Sequence, residues 1–132
     1  MKTRRLGKTD LQVSEIGFGG EWLERHPEEE SIELIHYASS KGINILDCWM
    51  ADPKSRDIIG KGIKDNRSQW FIQGHIGSTW KNEQYFRTRD MKYVRPAFED
   101  LLKRLQTDYI DLGMIHYVDS EEEWEQIQHS DY

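Results

Sequence analysis

Asp47 ends the mostly apolar run INILD, and this is the first place where the sequence offers chemistry. A short, nearly unbroken apolar run is typical of a strand buried on both faces of a parallel sheet. A carboxylate at the end of such a strand can pair with a cation, accept a proton or bind a ligand, but it needs partners from other strands. Cys48 follows directly, and we predict that it is a small buried hydrophobe rather than a nucleophile.

Strand and helix patterns alternate along the chain, and they indicate which elements place Asp47. A polar turn at residues 7–10 predicts a β-hairpin within residues 1–15. Helices are predicted with Ser55 as one N-cap and with Ser120 and Glu123 as a capping box. The predicted strands cover residues 15–20, 43–49, 70–78 and 108–117, and the predicted helices cover 27–42, 55–64, 94–106 and 120–127. This alternation predicts an α/β fold in which the strands are parallel.

The stretch STWKNEQYFRTRD, residues 78–90, is polar and aromatic and shows no clear period. It follows the carboxyl end of a predicted strand, where α/β proteins place binding loops. Trp80 and Tyr85 in this stretch, and Trp49 after Asp47, can line a substrate pocket or can simply pack against neighbouring side chains. The residue types alone leave both readings open.

Composition limits the class of protein. The net charge is −6, and residues 119–132 carry six acidic side chains but no Lys or Arg, so they account for the whole excess. We therefore expect no nucleic-acid partner, because such binding requires clustered cations. No apolar run approaches the ~20 residues of a membrane span. The N-terminal ten residues lack the apolar stretch of a signal peptide, so we expect a cytoplasmic protein with no membrane partner.

Several segments together resemble the aldo-keto reductase family, whose members are NAD(P)H-dependent enzymes built on a (β/α)8 barrel. RRLGKTDLQVSEIGFGG resembles the opening hairpin and first strand of that family, and GINILD resembles its second strand. SRDIIGKGIK resembles the helix that follows, and LLKRLQTDYIDLGMIH resembles the helix and strand of the fourth unit. The resemblance implies the N-terminal half of a TIM barrel, as one domain over residues 1–132, with about four parallel strands preceded by the hairpin.

The resemblance also implies a site. In this family an Asp, a Tyr, a Lys and a His at the strand ends reduce a small carbonyl substrate with NADPH or NADH; the Tyr donates a proton, and the Lys lowers its pKa. The Asp and His match Asp47 and His116, whereas the Tyr and Lys positions hold Asp52 and His75. An ordinary Asp, with a pKa of ~3.9, carries no proton to donate at neutral pH. The expected catalytic set is therefore Asp47, Asp52, His75 and His116.

Three readings of this altered set remain open. An ion pair between Asp47 and His75 would leave His75 as a possible proton donor, which gives altered redox chemistry. Two carboxylates and two imidazoles can also bind a small ligand or a divalent metal, which describes a non-catalytic binding module. The third reading is an inactive remnant. For cofactor binding the resemblance implies Gly19, Gly20 and Asp47, although the glycines also fit a tight strand exit.

Length adds a further expectation. A closed barrel takes about 250 residues, and this chain reaches only the fourth strand-helix unit. A half-barrel leaves strand edges that need a partner, so we expect a homodimer or an association with the missing second half. The segment GHIGSTW resembles a bacterial branch with a C-terminal ferredoxin-like segment, which would bring an iron–sulfur cluster only if a longer chain carries it. We expect this chain alone to be inactive.

Overall fold

The computed structural model describes residues 1–132 as eight strands and four α-helices. In chain order they are β1 (Thr3–Arg5), β2 (Gln12–Ser14), β3 (Phe18–Gly19), α1 (Glu28–Ser40), β4 (Ile45–Cys48), α2 (Pro53–Ile63), β5 (Phe71–Ile76), β6 (Ser78–Lys81), β7 (Gln84–Arg87), α3 (Met91–Leu105), β8 (Leu112–Ile115) and α4 (Glu121–Gln128). Short 3-10 helices at Leu23–Arg25 and Arg67–Gln69 complete the chain.

A four-stranded parallel sheet forms the centre of the fold, in the order β3-β4-β5-β8. The antiparallel hairpin β1–β2 precedes it, as the turn at residues 7–10 predicted. The sequence prediction of about four parallel strands after a hairpin is therefore confirmed. Strands β3 and β8 each pair with one neighbour only, so both outer edges of this sheet have unpaired backbone groups.

Apolar side chains on one face of this sheet form the core. Leu46 and Ile72 come from the strands and are fully buried, since alternate strand residues point to the same face. Helices α1, α2 and α3 supply most of the remaining cluster, and they approach one another closely. A Cβ at Gly60 in α2 would lie 2.1 Å from the carbonyl oxygen of Arg104, so only glycine fits where α2 meets the end of α3.

The second face of the sheet carries the polar residues. Register places Asp47 beside Gln73 and His75 beside Met114, and all four side chains are at least partly exposed. This exposure follows from the sequence, because polar residues alternate with the buried Leu46 and Ile72 along β4 and β5. The carboxyl ends of the parallel strands therefore bring these polar groups to one rim.

The helix ends differ from the sequence prediction at one point. We expected Ser55 to cap the second helix, but that prediction was wrong, because α2 begins earlier, at Pro53. The Asp52 carboxylate accepts a hydrogen bond from the backbone N–H of Ser55 at 3.0 Å and is the N-cap. In α4 the Ser120 hydroxyl accepts from the N–H of Glu123 at 3.1 Å, as the capping-box spacing predicted.

Within residues 78–90, β6 and β7 form a β-hairpin, which corrects the expectation of a loop without a regular period. Strands β6 and β7 pair antiparallel, and Lys81 faces Gln84 across a two-residue turn. Asn82 and Glu83 in the turn both have positive φ, of 51° and 61°. A two-residue turn with positive φ at both positions has a backbone twist that matches the right-handed twist of the flanking strands. Among the helices, none combines the length and apolar character that crossing a bilayer requires.

Candidate active site

Asp47 and His75 meet at the rim because β4 and β5 are neighbours. The Nε2 atom of His75 lies 2.9 Å from Oδ1 of Asp47. The amide of Gln73 donates a second hydrogen bond to the same carboxylate oxygen at 2.6 Å. Carboxylates that accept two such bonds are held in one orientation. The ion pair that the sequence suggested between positions 47 and 75 is thus possible in this geometry.

His116, just beyond the end of β8, extends this contact across the rim. Its Nδ1 atom lies 2.9 Å from Nδ1 of His75. The imidazole is only 2% exposed, although it lies at the end of a strand. Its backbone N–H donates to the carbonyl of Ile76 at 2.9 Å, which holds the residue beside β5.

Tyr85 also belongs to the site. The sequence left open whether this residue lines a pocket or only packs against its neighbours. It lies on β7, and its hydroxyl is 2.6 Å from Nε2 of His116. The hairpin is held against the C-terminal segment by ion pairs of Arg87 with Asp119 and of Arg89 with Glu123. The available signal was the β-prone pairs Thr79–Trp80 and Tyr85–Phe86 on either side of Asn82, a residue type that favours turns.

A cavity of about 490 Å³ opens beside these groups. Asp47, His75 and His116 all line it, and so does Trp49. The indole of Trp49 stacks nearly parallel on the His116 ring, at 5.7 Å between centroids and 11° between planes. The volume and this mixture of aromatic and polar walls suit a small organic ligand. Trp80 does not line this cavity.

Asp52 is the one predicted catalytic residue that the structure does not bring to the cluster. Its carboxylate accepts the Ser55 N–H at the start of α2 and does not line the cavity. A side chain this short reaches the nearest free backbone N–H of the helix that it precedes. The proposal that position 52 takes part in catalysis stays a prediction.

Burial sets the protonation of the site. Burial of the imidazole is the main reason why the pKa of His116 falls from 6.5 to about 4. The positive charges of the neighbouring His75, Arg89 and Arg87 lower this pKa further. Burial also raises the pKa of the Tyr85 hydroxyl. His116 is therefore a neutral imidazole and Tyr85 a protonated phenol at neutral pH. Burial likewise raises the pKa of Cys48 to about 12, so this residue is a buried thiol, as predicted.

The two glycines assigned to a cofactor are not alike. A Cβ at Gly20 would lie 2.7 Å from the carbonyl oxygen of Asp47, so packing within the fold already requires that glycine. Gly19 is paired with Asp47 across the sheet, and a Cβ there would meet no atom within 4 Å. Packing therefore explains the glycine at position 20 without a ligand, whereas packing does not explain the glycine at position 19.

The metal alternative finds no support in this arrangement. No group of three or more His, Cys, Asp or Glu side chains is arranged to hold a metal ion. The facing nitrogens of His75 and His116 are engaged with each other instead. The chain also offers a single buried cysteine, Cys48, so it supplies no thiolate set for an iron–sulfur cluster.

Comparison with known proteins supports the resemblance seen in the sequence. Aldo-keto reductase YhdN of Bacillus subtilis is 35% identical over 128 residues, which cover 90% of this chain and 39% of that protein. A solved chain from Pseudomonas aeruginosa matches with a TM-score of 0.81 at 29% identity, covering 97% of this chain and 50% of that one. An aldo-keto reductase from Klebsiella pneumoniae solved with NADPH shares the fold, with a TM-score of 0.70 at 21% identity over 96% of this chain and 45% of that one.

The chain thus spans half or less of the length of the proteins that it matches. The four parallel strands and their helices correspond to the first half of the barrel in those structures. The sequence model of the aldo/keto reductase family matches residues 15–129, which is most of the chain. With the hairpin, the parallel strand order and the rim cluster in place, the chain belongs to the aldo/keto reductase family.

Proposed function

We propose that this chain provides the carbonyl-binding half of an NAD(P)H-linked carbonyl reductase, with an altered catalytic set. The observation that carries the proposal is the hydrogen-bonded group of Asp47, His75 and His116 along the wall of the 490 Å³ cavity. A small aldehyde or ketone fits a cavity of this size. Its carbonyl oxygen would find polar hydrogens at the rim, while Trp49 packs against its apolar part.

The proposed cofactor is NADPH or NADH, as family membership implies. When bound, it supplies the hydride that reduces the carbonyl carbon. Gly19 would let the nicotinamide lie against the backbone beside Asp47, since nothing occupies that space. Asp47 then serves the site by orienting His75, and Gln73 holds Asp47 in turn.

We also propose that turnover requires a complete barrel. Only about half of the length of the solved relative is matched by this chain, so the strands and loops of the other half are not available to hold a dinucleotide. The two sheet edges and the polar face are available to the missing half or to a second copy. A non-catalytic module that holds a small ligand at the same cavity is the second candidate, favoured by the absence of Tyr and Lys from the two expected positions.

Titration with NADPH and with NADH, followed by Trp fluorescence, separates these candidates because Trp49 lines the cavity. The experiment uses the chain alone and the chain mixed with the C-terminal half of the Bacillus subtilis relative. Binding together with reduction of a simple aldehyde by the mixture supports the reductase. A small carbonyl that quenches the Trp fluorescence of either sample, with no dinucleotide binding in either, supports the binding module instead.

A further inference from the structure

Four side chains at the rim form one unbroken chain of hydrogen bonds. It runs from Asp47 Oδ1 to His75 Nε2 at 2.9 Å, and from His75 Nδ1 to His116 Nδ1 at 2.9 Å. It then runs from His116 Nε2 to the Tyr85 hydroxyl at 2.6 Å. Both imidazoles use both ring nitrogens, so a proton that enters one end has a path to the other. We call this set the Asp47–Tyr85 relay.

The proton positions follow from the two histidines being linked nitrogen to nitrogen. If the Asp47 carboxylate accepts, His75 must donate from Nε2. A neutral His75 then accepts at Nδ1, so His116 carries its proton on Nδ1 and accepts at Nε2 from the Tyr85 hydroxyl. Every link has one hydrogen in this arrangement. His116 is thereby held in the Nδ1–H form, which is the less common form of a free neutral imidazole.

One added proton reverses every link beyond Asp47. A doubly protonated His75 donates from Nε2 to Asp47 and from Nδ1 to His116. His116 then carries its proton on Nε2 and donates it to the Tyr85 oxygen. The hydroxyl hydrogen of Tyr85 becomes free to point at another acceptor, which makes Tyr85 the outward-facing end of the relay.

We propose that Tyr85 is the proton donor to the substrate carbonyl, with His116, His75 and Asp47 resupplying its proton. This assignment rests on the proposed reductase function. It gives the site the phenol that position 52 lacks, brought in from a different element. The carboxylate of Asp52 accepts a hydrogen bond from the N–H of Ser55 and lies away from the cavity. The ring of Tyr85, in contrast, contacts Trp49 and His116, and both of these residues line the cavity.

The step balances in atoms and charge. The carbonyl carbon accepts the hydride, the C=O π electrons move to oxygen, and that oxygen takes the Tyr85 proton as the O–H bond breaks. The Tyr85 oxygen takes the proton on Nε2 of His116, and Nδ1 of His116 takes the proton on Nδ1 of His75. His75 returns to its neutral form, still donating to Asp47. Water then returns one proton to His75, so each turnover consumes one hydride and one proton.

The surroundings keep the relay in working form. The lowered pKa of His116 keeps this middle member neutral, so it does not hold an extra proton at neutral pH. Burial raises the pKa of Tyr85 and makes it a weaker acid, so its proton transfer depends on the hydrogen bond that His116 donates to the Tyr85 oxygen in the protonated relay. Tyr85 is 36% exposed, so it is not sealed within the protein. Several charged and titratable groups shift the pKa values of Tyr85 and His116. They are His75, Asp47, Arg87, Arg89, Tyr117 and Asp119.

The arrangement of protons can be measured without cofactor or substrate. In the full chain with ¹⁵N-labelled histidine, we expect His116 to show a protonated Nδ1 and an unprotonated, hydrogen-bonded Nε2 at about pH 7. Tyr85→Phe removes only the hydroxyl, so the Nε2 signal of His116 should shift and its Nε2–H form should gain population. Tyr93→Phe is the matched control, since Tyr93 contacts Phe86 of the same hairpin but lies outside the relay.

The donor role is measured in the sample that reduces an aldehyde with NADPH. Tyr85→Phe should lower kcat by about 100-fold or more with little change in KM, the usual loss for a general acid, while Tyr93→Phe keeps the wild-type rate. Retention of kcat by Tyr85→Phe would overturn the donor role, and a wild-type His116 protonated on Nε2 beside a neutral His75 would overturn the relay. If the wild type reduces nothing, the proposed function fails, and the histidine spectra alone decide the relay.

Discussion

Among the single residues, Asp52 is a helix N-cap and does not contact the cluster of Asp47, His75 and His116. The Asp52→Ala variant should therefore lose about 1 kcal/mol of unfolding free energy, because the N–H of Ser55 loses its acceptor. Asp52→Asn keeps an acceptor oxygen at the same place and should stay close to wild type. Urea denaturation of the three proteins provides the measurement.

A different result would return Asp52 to the active site. If Asp52→Asn unfolds like wild type but abolishes reduction in the completed barrel, the carboxylate has a chemical role that its capping contact does not explain.

His116 should make stability depend on pH in a defined window. Its pKa is about 4 in the folded protein and 6.5 in the unfolded chain, so the unfolded chain binds the extra proton between these values. The stabilisation is complete above pH 6.5 and is lost as the pH falls towards 4. The groups that shift its pKa besides burial are His75, Asp47, Arg87 and Arg89, and the Tyr85 hydroxyl contacts its Nε2. The loss should be on the order of 1–3 kcal/mol.

His116→Gln should flatten the pH dependence of unfolding free energy between pH 6.5 and 4, relative to wild type. His129→Gln is the control, since His129 is largely exposed near Glu125 at the end of α4. Chemical denaturation at several pH values gives the comparison. Equal slopes for wild type and His116→Gln would contradict the lowered pKa.

Among the secondary-structure elements, the β6–β7 hairpin places the Tyr85 hydroxyl against His116. Its turn places Glu83 at a φ of 61°, a left-handed conformation that costs a non-glycine residue about 1 kcal/mol. Glu83→Gly should therefore raise the unfolding free energy by up to about 1 kcal/mol. Thermal or urea unfolding measures this gain.

Asn82→Gly in the same turn is the internal comparison. Asn tolerates positive φ better than Glu does, so its replacement should give a smaller gain. If Glu83→Gly destabilises the protein while Asn82→Gly does not, the Glu83 side chain makes a contribution that its backbone conformation does not predict.

The whole molecule presents two unpaired sheet edges and an exposed polar face together. We expect the 132-residue chain to be inactive alone as a reductase and to associate, as a dimer that covers the edges of β3 and β8. The double variant Asp52→Tyr with His75→Lys should not restore activity to the chain alone, because hydride transfer depends on a positioned cofactor. Light scattering together with an NADPH-consumption assay measures both properties. A stable monomer that reduces aldehydes would contradict the expectation.

The sequence by itself determined the α/β alternation, the N-terminal hairpin and the family. These depend on local patterns: apolar periodicity along each segment, Gly and polar residues at turns, and Ser120 before three acids. The family resemblance also pointed to Asp47, His75 and His116, each of which lies at or near the carboxyl end of a predicted strand. Parallel strands must bring their carboxyl ends to one rim, so strand position alone predicts that these residues lie near one another.

Only the tertiary structure decided which groups touch. The bond between Tyr85 and His116 joins residues 31 positions apart, and it exists because a two-residue turn folds residues 78–87 into a hairpin. The cap role of Asp52 depends on where α2 begins, which differs by only a few residues from the predicted start. A local pattern determines whether a segment forms a helix or a strand. A hydrogen bond, however, requires that its donor and acceptor lie within about 3 Å of each other. Positions at that precision depend on how separate elements pack, and no single segment contains that information.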